Sequence, residues 1–551
     1  MKFQTNKLYF LPLGGSSEIG MNLNLYYYQD TWVMLDCGMM IHDRSDGEDE
    51  ILFPDIRFLN DKTISALVVT HAHEDHIGAI TDLWPRLRCP IYATPFAASV
   101  LRRKFKDNKM SVRVPIHIQE SNSHFSVGPF NFEYIAMTHS TVEAQAVAIR
   151  TEDAKVLHTG DWKLDPQPLI GSLTAEDKLK AFGKEGVLAL VGDSTNATIE
   201  GWSGSESVVR NTLSQLIKKE KHRVVCACFS SNIARIATFL FIAELTGRHP
   251  ILVGRSLKRM VAAAQETGYL PRGIEFVPPH DAMYLPPNRV MLICTGSQAE
   301  TRAALNRIAN RTHPHISLDR GDITYFSSKV IPGNELEIEK LQIKLKRQGI
   351  RVVSEEMETI HVSGHPCVDE LKVMYEWVKP HILIPVHGYP KHLSAHAKLG
   401  HAWGIPHVIE VRNGHCIELD VEHPRKIGEV HTGTEVRPPD DFALRQNKSR
   451  SASRRRKDTT PNRGRGNKSS RRNSQAMPQT RLDERNTRKS KQKNKSNEDV
   501  VSRRKRFISE QRTRLNLNEV VETQATDTPK NPSKKVRKKN RRRPKKRTMD
   551  T

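Results

Sequence analysis

Three histidines and two acids are crowded into the six positions of HAHEDH, residues 71–76, directly after the apolar run ALVV. Imidazole nitrogens and carboxylate oxygens are the ligands that zinc and related divalent metals take in proteins. A single histidine is more often a core or surface residue than a ligand. Three histidines with an aspartate at this spacing after a buried strand indicate a metal site.

The other candidate ligands share this placement, because each follows the C-terminal end of an apolar segment. The candidates are His71, His73, Asp75 and His76 after ALVV, His139 after FEYIAM, Asp161 after KVLHTG, and His387 after HILIPV. Functional groups gather at the carboxyl ends of strands in open α/β sheets. Seven ligands exceed the roughly four that one tetrahedral zinc takes. We therefore expect two metals with a bridging water, a centre that generates hydroxide near neutral pH and suits phosphodiester hydrolysis.

The segments that carry these ligands predict the elements that position them. Residues 1–204 alternate short strand-like apolar runs with turns, and residues 205–351 alternate helical patterns with strands. The second rhythm is that of βαβ units and indicates a parallel sheet. Residues 352–440 return to strand and helix patterns, after which apolar content collapses. We expect an α/β protein followed by a tail, 441–551, that cannot bury enough apolar surface to fold.

Further motifs narrow the class of hydrolase. They are LPLGGSSEIGMN (11–22), HTGDWKLDP (158–166), GDSTNA (192–197), CFSSNIARI (228–236), TGSQAE (295–300), FSSKVIPGNE (326–335), HVSGHPCVDELK (361–372) and IPVHGYPKHL (384–393). The H-x-H-x-D-H pattern resembles the metallo-β-lactamase superfamily, and the whole set resembles the ribonuclease J family of its β-CASP branch. The resemblance implies a metallo-β-lactamase αββα sandwich formed by residues 1–204 and 352–440. It also implies a parallel α/β β-CASP domain, 205–351, inserted into that sandwich. The disordered basic tail, 441–551, is expected from composition and departs from the family, which normally ends in a small folded α/β domain.

The resemblance also implies roles for individual residues. It places His71, His73 and His139 on one metal, Asp75, His76 and His387 on the other, and Asp161 on both as a catalytic residue. It makes Asp36 an orienting residue for the metal loop, and gives Asp193 and His365 the handling of the leaving oxygen. The implied substrate-binding residues are His361, Val362, Ser363, Gly364 and His365 near the cut, and Ser230, Ser231 and Asn232 for a terminal phosphate. A turn role for Asp193 and a plain helix cap at 230–232 are the structural alternatives.

The function that the resemblance implies is zinc-dependent RNA processing and decay, including rRNA processing and mRNA decay. The enzyme would be a 5′-to-3′ exonuclease that prefers 5′-monophosphate RNA and has endonuclease activity, with a metal-bridging hydroxide attacking the phosphorus. We expect two Zn²⁺ per subunit, with Mn²⁺ or Mg²⁺ as alternatives. His387 favours RNA, since DNA-acting relatives usually carry valine there. A β-CASP DNA nuclease and a non-catalytic RNA-binding subunit stay open, although the complete ligand set disfavours the second.

The charge of the chain is divided sharply between its two parts. Residues 446–551 contain 36 Lys and Arg against 10 Asp and Glu, whereas residues 1–445 contain 50 against 52. A tail this basic, with Phe507 as its one aromatic residue, predicts sequence-independent RNA binding through counterion release. Single-stranded RNA is the expected partner, and the tail is expected to tether the protein to RNA, to the ribosome or to other RNA-decay proteins. An inert solubility tail is the alternative.

Composition also bears on compartment and assembly. The seven cysteines are scattered, mostly within apolar runs, which indicates reduced thiols rather than a disulfide framework. No apolar run approaches the roughly 18 residues of a spanning helix, and the N-terminus shows no leader pattern. We expect a cytoplasmic protein that does not enter the membrane. The family implies a homodimer or tetramer, which stays open because no small folded α/β domain is recognisable after Arg445.

Overall fold

The computed structural model describes residues 1–43, 49–110, 113–331 and 333–437, so the predicted tail, 441–551, lies outside the described residues. The strands are β1 Leu8–Gly14, β2 Leu23–Tyr28, β3 Thr31–Leu35, β4 Met40–Asp43, β5 Asp49–Pro54, β6 Ile64–Val68, β7 Ile91–Ala93, β8 Ile116–Ile118, β9 His124–Val127, β10 Phe130–Met137, β11 Ala144–Arg150, β12 Lys155–His158, β13 Ala189–Asp193, β14 Val224–Ala227, β15 His249–Val253, β16 Val290–Cys294, β17 Ile323–Phe326, β18 Arg351–Val353, β19 Ile382–Val386, β20 His407–Val408, β21 His415–Leu419, β22 Arg425–Glu429 and β23 Thr434–Val436. The helices are α1 Glu74–Ile77, α2 Ile80–Leu87, α3 Pro95–Asp107, α4 Glu176–Lys184, α5 Glu206–Lys218, α6 Ile233–Thr246, α7 Arg255–Glu266, α8 Ala304–Ala309, α9 Glu335–Arg347, α10 Val368–Val378 and α11 Pro390–Ala402.

Two mixed sheets pack face to face and form the sandwich. One has eight strands in the order β22-β21-β1-β2-β3-β6-β7-β8, and the other has seven in the order β20-β19-β13-β12-β11-β10-β9. Side chains of both sheets, such as Phe10 and Val33 from the first and Tyr134 and Ile384 from the second, share one buried core. Packing the two inner faces against each other removes their apolar side chains from water, which holds the sheets together.

Helices cover the outer faces of both sheets. Leu83 of α2 and Leu101 of α3 pack with residues of the eight-stranded sheet. Leu179 of α4 and Met374 of α10 pack with Leu157 and other residues of the seven-stranded sheet. The predicted αββα sandwich is confirmed.

A separate five-stranded sheet is parallel throughout, with the order β15-β16-β14-β17-β18. Helices α5 to α9 alternate with its strands along the chain, which is the βαβ arrangement predicted for this part of the sequence. The chain leaves the sandwich after β13 and returns at β19, which pairs directly with β13. The inserted parallel domain is therefore confirmed as a fold, while its exact bounds stay a prediction.

The pairing of β13 with β19 decides where the site forms. These parallel strands align Asp193 with Val386, and β12 joins the same set with His158 opposite Val191. Because carboxyl ends of parallel strands meet at one edge of a sheet, the residues that follow β12, β13 and β19 are brought together there.

One glycine permits the close approach of two loops at this edge. A Cβ atom on Gly38 would lie 1.6 Å from the carbonyl oxygen of Asp75, so no other residue fits without a backbone shift. The segment after β3 therefore packs directly on the turn that carries Asp75.

Within the described parts of the chain, none of the helices has the length and apolar character needed to cross a membrane.

Candidate metal centre and active site

The predicted ligands lie in loops at the carboxyl ends of strands from both sheets of the sandwich. His71 and His73 follow β6, and Asp75 and His76 lie on the single turn α1. His139 follows β10, Asp161 follows β12 and His387 follows β19. The structure brings all seven predicted ligands into one group of overlapping clusters.

The first cluster contains three histidines and one aspartate. Ligand atoms of His71, His73, His139 and Asp161 all lie within 4.8 Å of one another. The His139 Nε2 and His73 Nδ1 atoms are 3.0 Å apart. Burial lowers the pKa of His73 to about 4 and holds the pKa values of His71 and His139 well below their usual value. Neutral imidazoles are the form that binds metals.

The second cluster contains Asp75, His76, Asp161 and His387, again within 4.8 Å. His387 Nε2 is 3.2 Å from Asp75 Oδ2, and its Nδ1 is 3.1 Å from Asp161 Oδ1. Burial alone would lower the pKa of His76 and of His387, but the neighbouring carboxylates, Asp161 first, hold both pKa values well above the usual one. The negative charge of these buried carboxylates must therefore be balanced by positive charge. Either protonated histidines or a divalent cation bound by neutral histidines can provide that charge.

Asp161 is common to both clusters and is nearly fully buried. Five histidine rings place a nitrogen 3.1–3.9 Å from its carboxylate: His71, His76, His139, His365 and His387. Neither of its oxygens, nor the buried Nε2 of His71, has a hydrogen-bond partner of good geometry among the described residues. Buried polar atoms without partners are costly. Imidazole nitrogens and carboxylate oxygens that lack hydrogen-bond partners in one buried cluster form a ligand set that fits divalent metal ions.

Supporting hydrogen bonds orient the ligand side chains. His139 Nδ1 donates to the Gly364 carbonyl at 2.6 Å, which leaves Nε2 with its lone pair toward the cluster. His76 Nδ1 lies 2.7 Å from Asp36 Oδ2, and Asp36 also accepts from the backbone and hydroxyl of Thr70 at 2.8 Å each. Partners of this kind fix the rotation of a ligand ring and its basicity. Asp36 thus lies where the predicted orienting residue should be.

The predicted pair that handles the leaving oxygen also forms. His365 Nδ1 donates to Asp193 Oδ2 at 2.8 Å, and both residues cluster with Asp161 and His387. Burial alone would lower the pKa of His365, but Asp193 and Asp161 outweigh it and raise the pKa above the usual value. Burial would raise the pKa of Asp193, but His365 and His387 hold it well below its usual value. His365 and Asp193 thus form a hydrogen-bonded pair beside the candidate metal ligands.

The loop 361–365 contacts the metal centre directly. A Cβ on Gly364 would lie 2.7 Å from the His139 ring, so only glycine fits between them without a shift. A Cβ atom added to Gly204 would lie 3.0 Å from Val362 Cγ1. The lack of a side chain at Gly204 therefore allows Val362 to pack close to its backbone. His361 is half-buried, and its Nδ1 lacks a hydrogen-bond partner among the described residues.

The segment 230–232 lies in the parallel domain, after β14. Ser230 and Ser231 are half-buried there. The Asn232 side chain accepts a hydrogen bond from the Arg235 backbone N–H at 2.8 Å, so Asn232 is the N-cap of α6, as in the structural alternative. Arg235 in turn donates to the Ile360 carbonyl at 3.0 Å. Arg235 therefore connects Asn232 with Ile360, the residue directly before the predicted segment 361–365.

Sequence reasoning missed several residues that hold the site together. The Asn196 amide donates to the His365 carbonyl at 3.0 Å and to Ser363 Oγ at 2.7 Å, and it accepts from Lys329 at 3.3 Å. Lys329 is exposed and forms no ion pair with any residue that the structure describes. Asn196 lies inside GDSTNA, but its side chain links two loops that are distant in sequence. Local composition does not reveal a contact of that kind.

The comparisons with known proteins agree with this geometry. Residues 22–202 match the family model "Metallo-beta-lactamase superfamily", residues 221–345 match "Ribonuclease J, beta-CASP domain", and residues 349–410 match "Zn-dependent metallo-hydrolase RNA specificity domain".

Individual relatives match over most of the chain. Ribonuclease J of Sinorhizobium meliloti is 44% identical over 422 residues, covering 76% of this chain and 75% of the relative. Ribonuclease J of Mycolicibacterium smegmatis is 38% identical over 428 residues, covering 76% of each. Among solved structures, a protein of unknown function from Enterococcus faecalis V583 superposes with a TM-score of 0.53 at 17% identity. That match covers 75% of this chain and 100% of the other, and it bears on the fold alone.

Proposed function

The chain belongs to the ribonuclease J family, and on that premise we propose that it is a zinc-dependent ribonuclease of RNA processing and decay. It shortens single-stranded RNA from the 5′ end, prefers a 5′-monophosphate and also cuts internally. The observation that carries the proposal is the convergence of seven ligands around the buried carboxylate of Asp161. RNA as substrate is supported by the match of residues 349–410 to an RNA specificity domain.

The metal assignment follows the two clusters. His71, His73 and His139 would hold one ion and Asp75, His76 and His387 the other, with Asp161 available to both. Two bound Zn²⁺ ions would supply a hydroxide nucleophile near neutral pH and neutralise phosphate charge. The nitrogen-rich ligand set favours zinc, and Mn²⁺ and Mg²⁺ are the alternatives.

The protein's own residues manage the departing oxygen. Because His365 Nδ1 is engaged by Asp193 at 2.8 Å, its Nε2–H is the group left to donate a proton as the phosphorus–oxygen bond breaks. Asp193 fixes the ring orientation and favours the protonated form. Asn196 holds the His365 loop in place through its two donated hydrogen bonds.

Recognition of the substrate phosphates is assigned to two segments. Residues 361–365 lie against His139 and hold RNA next to the cut. The hydroxyls of Ser230 and Ser231, with the N-terminus of α6, hold the terminal phosphate. Since the Asn232 side chain already caps α6, Asn232 contributes through the backbone of that helix end.

The remaining proposals concern the whole chain. The sandwich consists of 1–204 and 352–440, the β-CASP domain of 205–351, and the tail of 441–551. The protein works in the cytoplasm, and its basic tail binds RNA, the ribosome or other RNA-decay proteins. Assembly into a homodimer or tetramer is part of the proposal.

The test uses purified full-length protein and matched single strands: 5′-monophosphorylated RNA, 5′-triphosphorylated RNA and DNA of the same sequence, each with and without chelator. We expect chelator-sensitive release of nucleotides from the 5′ end, fastest on the monophosphorylated RNA. Asp161→Asn should abolish cleavage, and His401→Asn, at an exposed position of α11, should leave it unchanged.

Failure to cleave any RNA would contradict the enzyme assignment. Equal cleavage of DNA would contradict the substrate, and equal rates on both RNA ends would contradict the monophosphate preference. If the protein cleaves RNA with Mn²⁺ or Mg²⁺ but not with Zn²⁺, the proposed metal is wrong and the proposed reaction is still supported.

A further inference from the structure

Glu74 lies in the middle of the metal motif but does not face the metal ligands. It belongs to none of the ligand clusters among the described residues. Its carboxylate is paired instead with the ammonium of Lys104 on α3, and its Oε1 lies 3.6 Å from Nη2 of Arg259 on α7. A half-buried acid between two cations is a structural contact rather than a ligand.

Glu74 shares one helical turn with two proposed ligands. The turn α1 is only four residues long and carries Glu74, Asp75 and His76 in succession. A helix this short has no stability of its own, so outside contacts set its orientation. On one side the backbone N–H groups of Met39 and Cys37 donate to the Glu74 and His76 carbonyls at 3.0 and 2.8 Å. On the other side the turn is held by the Glu74 side chain.

The contact with Arg259 crosses between the two domains. Helix α3 lies in the segment that matches the metallo-β-lactamase superfamily, and α7 lies in the segment that matches the β-CASP domain. Arg259 spans Glu74 and Asp107, with Nη1 3.1 Å from Asp107 Oδ2. A second ionic contact of α3 with α7 joins Glu266 to Arg103 and Ser99. That second contact does not touch the metal loop.

We propose that Glu74 is a positioning residue through which the seating of the β-CASP domain controls the metal centre. With α7 against α3, Arg259 and Lys104 fix the turn that carries Asp75 and His76. When α7 moves away, the turn keeps the Lys104 contact but loses the Arg259 contact, and the ion held by these two ligands is released more easily. The inference rests on the metal site of the proposed function and adds a link between domain position and metal retention.

The expected change in metal affinity follows from the proposed positioning role of Glu74. Residues that orient metal ligands without binding the metal change metal affinity by roughly 10- to 100-fold when removed. Arg259→Ala and Glu74→Gln should therefore speed the loss of one of the two ions and leave the other, held by His71, His73 and His139, largely unaffected.

The experiment measures zinc release from the full-length, zinc-loaded protein into an excess of a chromogenic chelator. Arg259→Ala and Glu74→Gln should each release one equivalent at least about tenfold faster than wild type. Asp107→Ala removes the other partner of Arg259, and Glu266→Ala removes the second α3–α7 contact. Both controls leave Arg259 on Glu74 and keep the apolar core that α3 and α7 share, so α7 stays seated and zinc should be released within about twofold of the wild-type rate.

A double variant and a stability measurement keep structural damage apart from positioning. If Glu74 and Arg259 act as a pair, Glu74→Gln with Arg259→Ala should release zinc no faster than the faster single variant. The melting temperatures of the zinc-free Arg259→Ala and Glu266→Ala variants should be alike. Release from Arg259→Ala at the rate of Asp107→Ala would overturn the inference, as would strict additivity in the double variant.

The outcome is separable from that of the proposed function. A wild-type protein that retains two zinc ions but cleaves no RNA would contradict the function and leave the release comparison valid. A wild type that cleaves RNA, with variants that hold zinc normally, would contradict only the inference. A wild type that retains no zinc would overturn the inference and the assignment of zinc as the metal, whereas RNA cleavage with Mn²⁺ or Mg²⁺ would still support the proposed reaction.

Discussion

Asp161 has an unusual environment for a buried carboxylate, because histidine nitrogens surround it on several sides and no hydrogen bond of good geometry reaches it from the described residues. A buried charge is tolerated only when it is paired or coordinates a metal. The five histidines nearby cannot all be protonated, since their positive charges repel one another. Divalent ions resolve this conflict, because they pair with the carboxylate while the imidazoles stay neutral.

The sequence pattern predicted that these side chains would converge, because metal ligands are of particular types and follow strand ends. The residues that support the ligands were harder to predict. Asn196 links His365 to Lys329 through an ordinary amide, and Arg235 of the parallel domain donates to the carbonyl of Ile360, directly before the loop 361–365. Such roles depend on contacts between residues far apart in sequence, which composition and periodicity do not encode.

The pair of His365 and Asp193 gives a first prediction. His365→Ala should lower kcat for RNA cleavage roughly 10²- to 10⁴-fold, the usual contribution of a general acid. Asp193→Asn should lower kcat too, because the ring loses the carboxylate that orients it. Single-turnover cleavage of 5′-monophosphorylated RNA measures both effects.

Bound zinc is the control for this pair. Both variants should keep two equivalents of zinc, since the proposed metal ligands are untouched. A variant that loses zinc together with activity would show that His365 or Asp193 serves the metal rather than the leaving oxygen.

At the scale of elements, strand and helix patterns were readable, but their arrangement was not. The apolar runs that end at Val68, Met137 and Asp193 form strands as predicted. The pairing of β13 with β19, which sets Asp193 opposite Val386, joins segments separated by the whole parallel domain. The small sheet of β4, β5 and β23 likewise joins residues near both ends of the described chain. Long-range register depends on packing of complete sheets and is not encoded in any local window.

Helix α11 supplies a buried histidine that lies behind the site. His396 Nδ1 is 2.8 Å from Ser194 Oγ, and its Nε2 contacts the Tyr375 hydroxyl. Since Ser194 donates to the Gly192 carbonyl, His396 donates from Nδ1 and accepts at Nε2 from Tyr375. A neutral ring satisfies all these groups, and the loop after Asp193 is thereby tied to α10 and α11.

The second prediction concerns the pH dependence of stability. Burial lowers the pKa of His396 to about 4, whereas an unfolded histidine titrates near its usual value of about 6.5. Below that pH the unfolded chain gains a proton that the folded chain does not, so the free energy of unfolding should fall from about pH 6.5 down to about pH 4. The full loss attributable to this ring is on the order of 3 kcal/mol.

Urea unfolding at several pH values compares wild type with His396→Gln, which cannot titrate. The difference in unfolding free energy between the two should shrink as the pH falls through this window. His401→Gln, at an exposed position of the same helix, should follow the wild-type curve. A constant difference between wild type and His396→Gln from pH 7 to pH 4 would show that the ring does not stay neutral.

At the scale of the whole molecule, a nearly neutral body, 1–445, precedes a tail, 446–551, with a net charge of +26. The third prediction is that deleting the tail weakens RNA binding and flattens its salt dependence. For single strands, the slope of log affinity against log salt should fall by about 0.7 for every phosphate that the tail neutralises. Cleavage of saturating short RNA should be unchanged, because every proposed ligand lies in the body. Filter binding at several salt concentrations measures the slope.

Full-length His365→Ala is the matched control for the tail. It should lose activity and keep the wild-type salt slope, the opposite of the truncated protein. An unchanged slope in the truncated protein would mean that the body alone provides the electrostatic attraction for RNA.

The return of the chain from the parallel domain to β19 also orders events during synthesis. His71 to Asp161 are made early, but His387 and the strand beside β13 are made only after the inserted domain. The ligand set cannot be complete until residue 387 of 551 has been added. Since nascent chains fold from the N-terminus as they emerge, a ribonuclease whose proposed ligands are made in this order stays without its full centre while the ribosome is still reading the part of the message that encodes the inserted domain.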